Sequence, residues 1–541
     1  MAFLRLVTKS LETAAHGVAT GAVTLADELT GRQVPELRNA RQDQERRLHA
    51  ASRGVEQNAR IVGGDLERVV GTTGVSLLVL GRVVSQPDQL QRLVELIETY
   101  DLPSFVRALA TRSQLPPDFF PAWVRRAGGY FPKFAQVLSV RADLIRDPEV
   151  LAQFARCLED MPSRSREVVR EHVMRRGWDE RMCDGVGEAL NAGTVAQVNT
   201  LTMPDGSPAV VKVAWPDTKQ QMQTDFRLFE HARGILGALR LEDEQAQSVA
   251  GIFSAVQRNE PAVLQEFDLG AEADAMRMAA TICGGDDWGG AYRTWLIRAQ
   301  ESLAQAPPQL AVLAMTFVTE AQSSRWAVRV PLPFDGYCNE SVLVMSHASG
   351  VSMHQLLSGA EGEAGQSEAA TVLLGLALPL IGWLLLCKSS SHLAHVDPHP
   401  GNFRWDNGSR TLWVLDWGSN VKLASEHRVA LCLLITLIAE GSSDDAIADT
   451  ARSFGIRSDN DHRLAVLMRG MLNASGGYAA QDALNTAAMD SILNDVGDEI
   501  VPVVRCLATL GGILQGLQRK LRDQRQQDVP LSLAALWAPF A

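Results

Sequence analysis

Apolar positions along this 541-residue chain recur first at helical intervals, then in short strand-like runs, and then at helical intervals again. Up to about residue 178 the spacing predicts helices, with a proline-rich break at 115–121. The runs 195–201 and 209–213 flank the turn dipeptide Asp205-Gly206, which predicts an antiparallel hairpin. The chain is therefore expected to be an α+β protein in which a small sheet is preceded and followed by helices.

Further elements follow the first hairpin. The pattern predicts one long helix and four strands: a helix over 224–280 and strands over 327–330, 341–345, 402–405 and 411–415. Asp406-Asn407-Gly408 separates the last two strands and is a strong hairpin turn. After Asp416 the spacing is predominantly helical to the end of the chain.

Three polar residues near this second hairpin carry the clearest chemistry. Asp397 and Asn402 lie five residues apart in His395-Val396-Asp397-Pro398-His399-Pro400-Gly401-Asn402, and Leu415-Asp416-Trp417-Gly418 follows. A protein-kinase catalytic loop has the same Asp-to-Asn step, and an Asp-Phe-Gly segment comes after it. Phosphoryl transfer needs oxygen ligands for Mg²⁺ beside a carboxylate that orients the acceptor. The hairpin should return Asn402 and Asp416 to one end, where both can reach one ion.

Two alternatives apply to this segment. Isolated Asp and Asn pairs are common in loops, so a chance match is the plain alternative, although several spacings agree. His395, Asp397 and His399 could instead ligate zinc, but the two prolines stiffen the segment and no further ligand cluster appears in the sequence.

Lys212 is a candidate phosphate ligand. It lies in Val210-Val211-Lys212-Val213, which is similar to the Val-Ala-Ile-Lys strand of kinases. Taken alone, it could equally be a solvent-facing lysine on an edge strand; the downstream Asp and Asn residues favour the phosphate role.

An uncharged stretch of nineteen residues, 369–387, is long enough to span a membrane. Pro379 interrupts it, Lys388 closes it, and it ends eight residues before His395. A kinase-like large lobe requires a buried helix at this place to support the catalytic loop. The stretch is therefore predicted to be a buried core helix rather than a transmembrane helix.

Composition and charge exclude some functions and locations. The net charge is −12 and the pI about 5.5, with no basic stripe, so no nucleic-acid partner is expected. The seven cysteines are scattered without a Cys-x-x-Cys pair, which favours a reducing, intracellular compartment. Residues 1–11 are basic without acid and are compatible with the start of a mitochondrial or plastid presequence. An ordinary amphipathic helix is the simpler interpretation, because Glu12 follows directly.

Several segments, in order, make the chain resemble the UbiB/AarF-domain family of atypical kinase-like proteins. The segment 395–402 nearly reproduces the family's His-Ala-Asp-Pro-His-Pro-Gly-Asn and is the most specific match. Moderate matches are Phe131 to Leu144 with Lys133 and Gln136, Leu190 to Val198 with Ala192, Gly193 and Thr194, Lys212, Glu266-Phe267-Asp268 and Glu272-Ala273. The resemblance covers roughly residues 115–440.

The resemblance implies a two-lobed protein-kinase-like α+β fold, with a small β-containing N-lobe, a mainly helical C-lobe and extra N-terminal helices. It implies ATP and Mg²⁺ as cofactors, with Asn402 and Asp416 on the metal. It implies catalytic roles for Asp397, Lys212 and Glu272, with Glu272 pairing to Lys212. Nucleotide contacts are implied for Ala192, Gly193, Thr194, Lys212, Met345, Lys133, Gln136 and Glu266, with Glu266 facing Lys133.

The expected organisation has four parts, and the 281–325 region of the third looks inserted. The parts are an N-terminal helical extension over 1–114, a family-specific helical segment over 115–181, an N-lobe over 182–345 and a C-lobe over 346–541. The resemblance further implies a role in isoprenoid-quinone or lipid metabolism, with lipid or membrane surfaces and biosynthetic proteins as partners.

Three substitutions depart from the family pattern. Ala135 replaces a glycine, Gly193 stands in an alanine-rich loop, and Trp417 replaces the Phe of Asp-Phe-Gly. Every polar group of the minimal phosphate site is retained, which favours an ATPase or a phosphotransferase. The alternatives are a nucleotide-sensing pseudokinase scaffold and, with less support, a true protein kinase, because no Ala-Pro-Glu or ordinary activation segment follows Asp416.

Overall fold

Two small sheets carry the residues of interest, and helices precede, connect and follow them in the computed structural model of the chain. The structure describes residues 86–101, 116, 118–139, 153, 161–238, 260–282, 326–359, 362–386, 393–458, 460–472, 500–525, 532–538 and 541. The predicted extension before residue 86, and nearly all of the predicted insertion, lie outside the described residues. The predicted domain bounds stay a prediction.

The chain divides into two compact units. The first comprises residues 1–162, 192–195 and 215–264, and the second comprises residues 163–191, 196–214 and 265–541. The helices of the first unit are α1 Pro87–Val94, α2 Phe119–Ala127, α3 Phe131–Ser139 and α6 Pro216–Ala238.

The second unit contains the sheets. Its helices are α4 Arg166–Met174, α5 Glu180–Asp184, α7 Leu269–Ile282, α8 Met353–Ser358, α9 Gly362–Val372, α10 Leu378–Leu386, α11 Ser425–Ala439, α12 Asp444–Ser453, α13 Asp461–Leu472, α14 Ile500–Arg525 and α15 Leu533–Trp537. Its strands are β1 Val186–Ala192, β2 Ala196–Thr202, β3 Pro208–Ala214, β4 Ala327–Arg329, β5 Val342–Ser346, β6 Val351–Ser352, β7 Ala394–His395, β8 Phe403–Asp406, β9 Thr411–Val414 and β10 Asn420–Val421. The last residue of β1, Ala192, is assigned to the first unit.

Both predicted hairpins are present. The strands β2 and β3 pair in antiparallel fashion around the Asp205-Gly206 turn, and β5 extends the sheet in the order β1-β2-β3-β5. The strands β8 and β9 pair around the Asp406-Asn407-Gly408 turn. The predicted strand at 327–330 is also present as β4, but it pairs in parallel with β9 in a second sheet of order β4-β9-β8-β6. A strand distant in the sequence thus completes the sheet behind the second hairpin.

The prediction of one helix over 224–280 is wrong. The helix α6 ends at Ala238, and α7 begins at Leu269 after a turn in which the Asp268 N–H donates to the Gln265 carbonyl. The Asp268 carboxylate then accepts from the Ala271 N–H at 2.9 Å and caps α7. Capping satisfies backbone donors that the first turn of a helix leaves free, so Asp268 fixes where α7 starts.

A buried ion pair organises the first unit. Asp225 on α6 accepts from Arg92 Nε at 2.7 Å and from the Tyr130 N–H at 2.8 Å, and both charged side chains are almost fully buried. Gly129 has a φ of +55°, and a Cβ there would lie 2.1 Å from the Asp225 carboxylate. The glycine is therefore required for the turn that presents Tyr130 to this carboxylate.

The uncharged stretch forms the core helix of the second unit. Every residue of α10 is buried, and a π-helical turn, Leu373–Ala377, precedes Pro379, which has no N–H for a regular α-helical bond. Among the described residues, one helical stretch, Ala364–Leu386, is long and apolar enough to cross a bilayer, and 89% of its most apolar window is buried within the protein. A single buried stretch of this kind is weak evidence for a transmembrane helix, and its burial fits the predicted core helix.

Candidate nucleotide site

Lys212 lies at the centre of a three-residue charge cluster inside the second unit. Its Nζ donates to the two Glu272 carboxylate oxygens at 3.0 and 2.9 Å and to Asp416 Oδ1 at 3.1 Å. The Lys212 and Glu272 side chains are 13% and 3% exposed, whereas that of Asp416 is 45% exposed. The structure therefore contains the ion pair that the family resemblance implies, with Asp416 on its open side.

The sheet and α7 position this cluster. Lys212 lies on β3, the strand between β2 and β5, and pairs with Leu343, while Val210 pairs with Met345. Directly paired residues share a face of a sheet, so Met345 lies on the Lys212 face. The helix α7 packs against β3 and β5 and presents Glu272 in its first turn, where a carboxylate also interacts favourably with the helix dipole.

The three charges shift one another's pKa. Burial raises the pKa of Glu272 to about 7, even though the Lys212 ammonium works in the other direction. Burial also opposes the charged forms of Lys212 and Asp416, but their mutual attraction outweighs it. The pKa of Lys212 is raised and that of Asp416 is lowered. At neutral pH the cluster thus keeps a charged lysine and a charged Asp416.

The raised pKa of Glu272 predicts a pH-dependent contribution to stability. Its pKa is about 7 in the folded protein and 4.5 for an ordinary glutamate, so the folded state binds more protons between these pH values. The contribution is fully present below about pH 4.5 and is lost as the pH rises through 7. Buried His395, whose pKa burial lowers, has the opposite sign. We expect the difference in unfolding free energy between wild type and Glu272→Gln to change by about 1–3 kcal/mol from pH 5 to pH 8.

Urea unfolding of both proteins at several pH values checks this expectation, because their difference cancels the contributions of other groups. Parallel stability curves for wild type and Glu272→Gln would contradict it.

Hydrogen bonds to backbone carbonyls fix the catalytic-loop segment, residues 395–402. Asn402 Nδ2 donates to the Asp397 carbonyl at 2.9 Å, and the Asn402 carbonyl accepts from the Leu415 N–H at 2.8 Å. Phe403 pairs with Val414, so the hairpin brings Asn402 opposite the residue that precedes Asp416. Asn402 is 6% exposed, and because its amide nitrogen is engaged, its Oδ1 is the atom left to act as a ligand.

His395 contributes in a way that the sequence did not indicate. It is fully buried, its Nε2 lies 2.9 Å from the Leu415 carbonyl, and its ring meets Trp417 edge to face at 5.1 Å. The Val396 N–H donates to the Ser419 carbonyl, so the segment contacts both sides of the Asp416 turn. Asp416 has a φ of +53°, a strained value for a non-glycine residue, and these contacts maintain it.

Two further residues approach the site: Gly418, which belongs to the Asp416-Trp417-Gly418 segment, and Cys506, which no sequence pattern indicates. A Cβ at Gly418 would lie 3.4 Å from Asp416 Oδ1 and 3.6 Å from Glu272 Oε2, so the glycine keeps room beside both carboxylates. Cys506 on α14 is buried near Asp397; burial and that charge raise the pKa of its thiol. Cys506 lies more than a hundred residues beyond Asp397, and no local pattern links the two.

The remaining predicted contacts belong partly to the first unit. Lys133 and Gln136 lie on α3, and Ala192, Gly193 and Thr194 lie at the turn between β1 and β2. Glu266 lies in the second unit, in the turn before α7. The contact between Glu266 and Lys133, and the nucleotide-binding roles of these residues, stay predictions.

The three departures from the family pattern have local explanations. Ala135 is a buried helical residue of α3, so its backbone does not need the positive φ that would favour glycine. Gly193 is also absent from the positive-φ residues within the described part of the chain. Trp417 is fully buried, and its Nε1 donates to the Val414 carbonyl at 3.2 Å, so the larger ring is accommodated in the core.

The antiparallel sheet with its lysine, the carboxylate helix and the Asp-Asn loop define a protein-kinase-like α+β protein, as predicted. Residues 311–449 match the family model described as ABC1 atypical kinase-like domain. The chain is also similar to two curated proteins, both named probable protein kinase UbiB. These matches confirm the resemblance to the UbiB/ADCK-type family of atypical kinase-like proteins.

The similarity to these relatives is partial. The Marinobacter nauticus protein is 28% identical over 150 residues, which are 27% of this chain and 26% of the relative. The Tolumonas auensis protein is 24% identical over 299 residues, which are 54% of this chain and 46% of the relative. The chain thus spans about a quarter of the length of the first relative and somewhat under half of the length of the second. The chain is also similar to a solved structure, the complex of Rv3197 with erythromycin from Mycobacterium tuberculosis, with a TM-score of 0.41 and 16% sequence identity. The match covers 74% of this chain and 88% of the chain in that structure.

Proposed function

We propose that this protein binds MgATP at the Lys212 cluster and either hydrolyses it or transfers its phosphate to a small or lipid-like acceptor. The observation that carries the proposal is the contact of Lys212 Nζ with both Glu272 and Asp416 at 2.9–3.1 Å. A compact ammonium held by a buried carboxylate suits the α- and β-phosphates of a nucleotide. Incoming phosphates compete with Asp416 for this ammonium, which frees the exposed carboxylate.

The residues present fit a magnesium ion. Asp416 offers an exposed carboxylate, and Asn402 offers an amide oxygen whose partner nitrogen is already bound to the Asp397 carbonyl. Mg²⁺ prefers such oxygen ligands and retains several waters, so two protein ligands suffice alongside phosphate oxygens. When bound, the ion would neutralise phosphate charge. Asp397 would orient the acceptor or water, and Met345 would lie against the base.

The names of the relatives support a proposal for the pathway. Both curated relatives carry the name UbiB, and the family resemblance links such proteins to isoprenoid-quinone and lipid metabolism. We therefore propose that the activity supports quinone or lipid metabolism, at a membrane surface or with biosynthetic proteins.

The direct test is phosphate release from MgATP by the purified full chain. We expect magnesium-dependent turnover that follows the concentration of folded protein through gel filtration. Nucleotide-induced thermal stabilisation with neither phosphate release nor phosphate incorporation into an added lipid extract would refute catalysis and leave the nucleotide-sensing scaffold as the function.

A further inference from the structure

We propose that a row of side chains across the second sheet, which is not the sheet that carries Lys212, binds a phosphate-type anion. The row runs over adjacent strands: Arg329 on β4 pairs with Trp413 on β9, and Trp413 pairs with Arg404 on β8. Residues paired directly across strands lie on the same face with Cβ atoms about 5 Å apart. The other face of the hairpin, with Phe403, Trp405, Leu412 and Val414, is buried in the core.

Two donors in this row are buried without an acceptor. Arg404 Nε and Trp413 Nε1 are inaccessible to solvent and make no hydrogen bond with the described part of the chain, although Arg404 Nη2 donates to the Gly350 carbonyl. A buried donor without a partner is destabilising, so two such donors on neighbouring strands indicate an acceptor that bonds to both. The row therefore has the properties of a binding site for an acceptor.

The acceptor should carry negative charge. Arg404 is partly buried and forms no ion pair with a carboxylate among the described residues. Arg329 is exposed and forms no ion pair within the described part of the chain. Asp406, two residues after Arg404 and on the same face of β8, already accepts from Ser349, Gly408 and Ser409. An anion on the row would thus meet two guanidinium groups whose charge is not already neutralised.

The arrangement favours phosphate over a carboxylate. Strands lie about 4.8 Å apart, so the backbones of Arg329 and Arg404 stand about 10 Å apart on either side of Trp413. One guanidinium group can bond to both oxygens of a carboxylate. A phosphate has oxygens in several directions and can accept hydrogen bonds from two arginines and an indole N–H. An inorganic phosphate and the phosphomonoester head group of a lipid share this chemistry.

The test measures thermal unfolding of the full chain against inorganic phosphate at constant ionic strength. We expect phosphate to stabilise the wild type, and Arg404→Gln and Trp413→Phe each to weaken the apparent affinity about tenfold, because each removes a donor. Arg410→Gln is the matched control: it removes a positive charge from the same hairpin but outside the row, and should respond like wild type. Lys212→Met should also respond like wild type, which separates this site from the proposed nucleotide site.

Conservative variants keep the test interpretable. Trp413→Phe retains an aromatic ring and loses the indole N–H, and Arg404→Lys retains the charge and should recover part of the affinity lost in Arg404→Gln.

Sedimentation with phosphatidylcholine vesicles, with and without phosphatidic acid, distinguishes the sources of the phosphate. Binding that needs phosphatidic acid and Trp413 assigns a lipid head group, whereas a phosphate response without sedimentation assigns a soluble phosphate. An equal response to phosphate in wild type, Arg404→Gln, Trp413→Phe and Arg410→Gln, or none in wild type, would overturn the proposal.

Discussion

Asp416→Asn and Lys212→Met are each expected to reduce MgATP turnover by at least about a hundredfold, because removing one well-placed electrostatic group from a phosphoryl-transfer site costs this much or more. Asp416→Asn removes the exposed carboxylate of the cluster, and Lys212→Met removes the ammonium that both carboxylates share. The measurement is the initial rate of phosphate release at saturating MgATP.

The control for these variants is Lys422→Met, which removes an exposed lysine a few residues beyond Asp416. Its turnover should equal that of wild type. Lys212→Met also leaves Glu272 and Asp416 without their shared cation, so its folding should be checked by its unfolding midpoint. Equal turnover in wild type, Asp416→Asn and Lys212→Met would end the proposed catalytic role of this cluster.

Trp537→Ala should destabilise the second unit by about 3–5 kcal/mol, the usual cost of truncating a fully buried large aromatic residue. Trp537 on α15 is fully buried, packs against α10, and donates from Nε1 to the Leu378 carbonyl at 3.1 Å. A Cβ at Gly382 would lie 2.6 Å from that nitrogen, so the glycine makes room for the indole. The effect should extend to nucleotide binding, since α10 leads directly to the catalytic-loop segment.

Urea unfolding checks this prediction. Trp537→Phe retains the ring and should cost distinctly less than Trp537→Ala. Val429→Ala, on an exposed position of α11, should be near neutral. If Trp537→Ala unfolds at the same urea concentration as Val429→Ala, the packing of α15 does not hold the core helix in place.

Local chemistry explains what could be predicted from the sequence. The Asp205-Gly206 and Asp406-Asn407-Gly408 turns predicted both hairpins because such dipeptides favour tight turns. The second hairpin, in turn, aligns Asn402 with Leu415. Burial of 369–386 followed from length and the absence of charge, and from the need to support the loop at His395.

What could not be predicted depends on contacts between distant residues. The pairing of β4 with β9 joins residues more than eighty positions apart, and no local pattern encodes it. Apolar residues on both sides of Asp268 obscured the break directly before α7, and only the capping contact with Ala271 reveals it. The hydrogen bond between His395 and the Leu415 carbonyl could not be predicted either, because it forms only once the hairpin is folded.

The central claim is that Lys212 and Asp416 together hold a magnesium nucleotide. The most direct measurement is a calorimetric titration of the full chain with a non-hydrolysable ATP analogue, with and without Mg²⁺, in wild type and Asp416→Asn. The account predicts that Mg²⁺ strengthens binding to wild type by tenfold or more and that Asp416→Asn loses this gain. An equal magnesium-dependent gain in both proteins would contradict it.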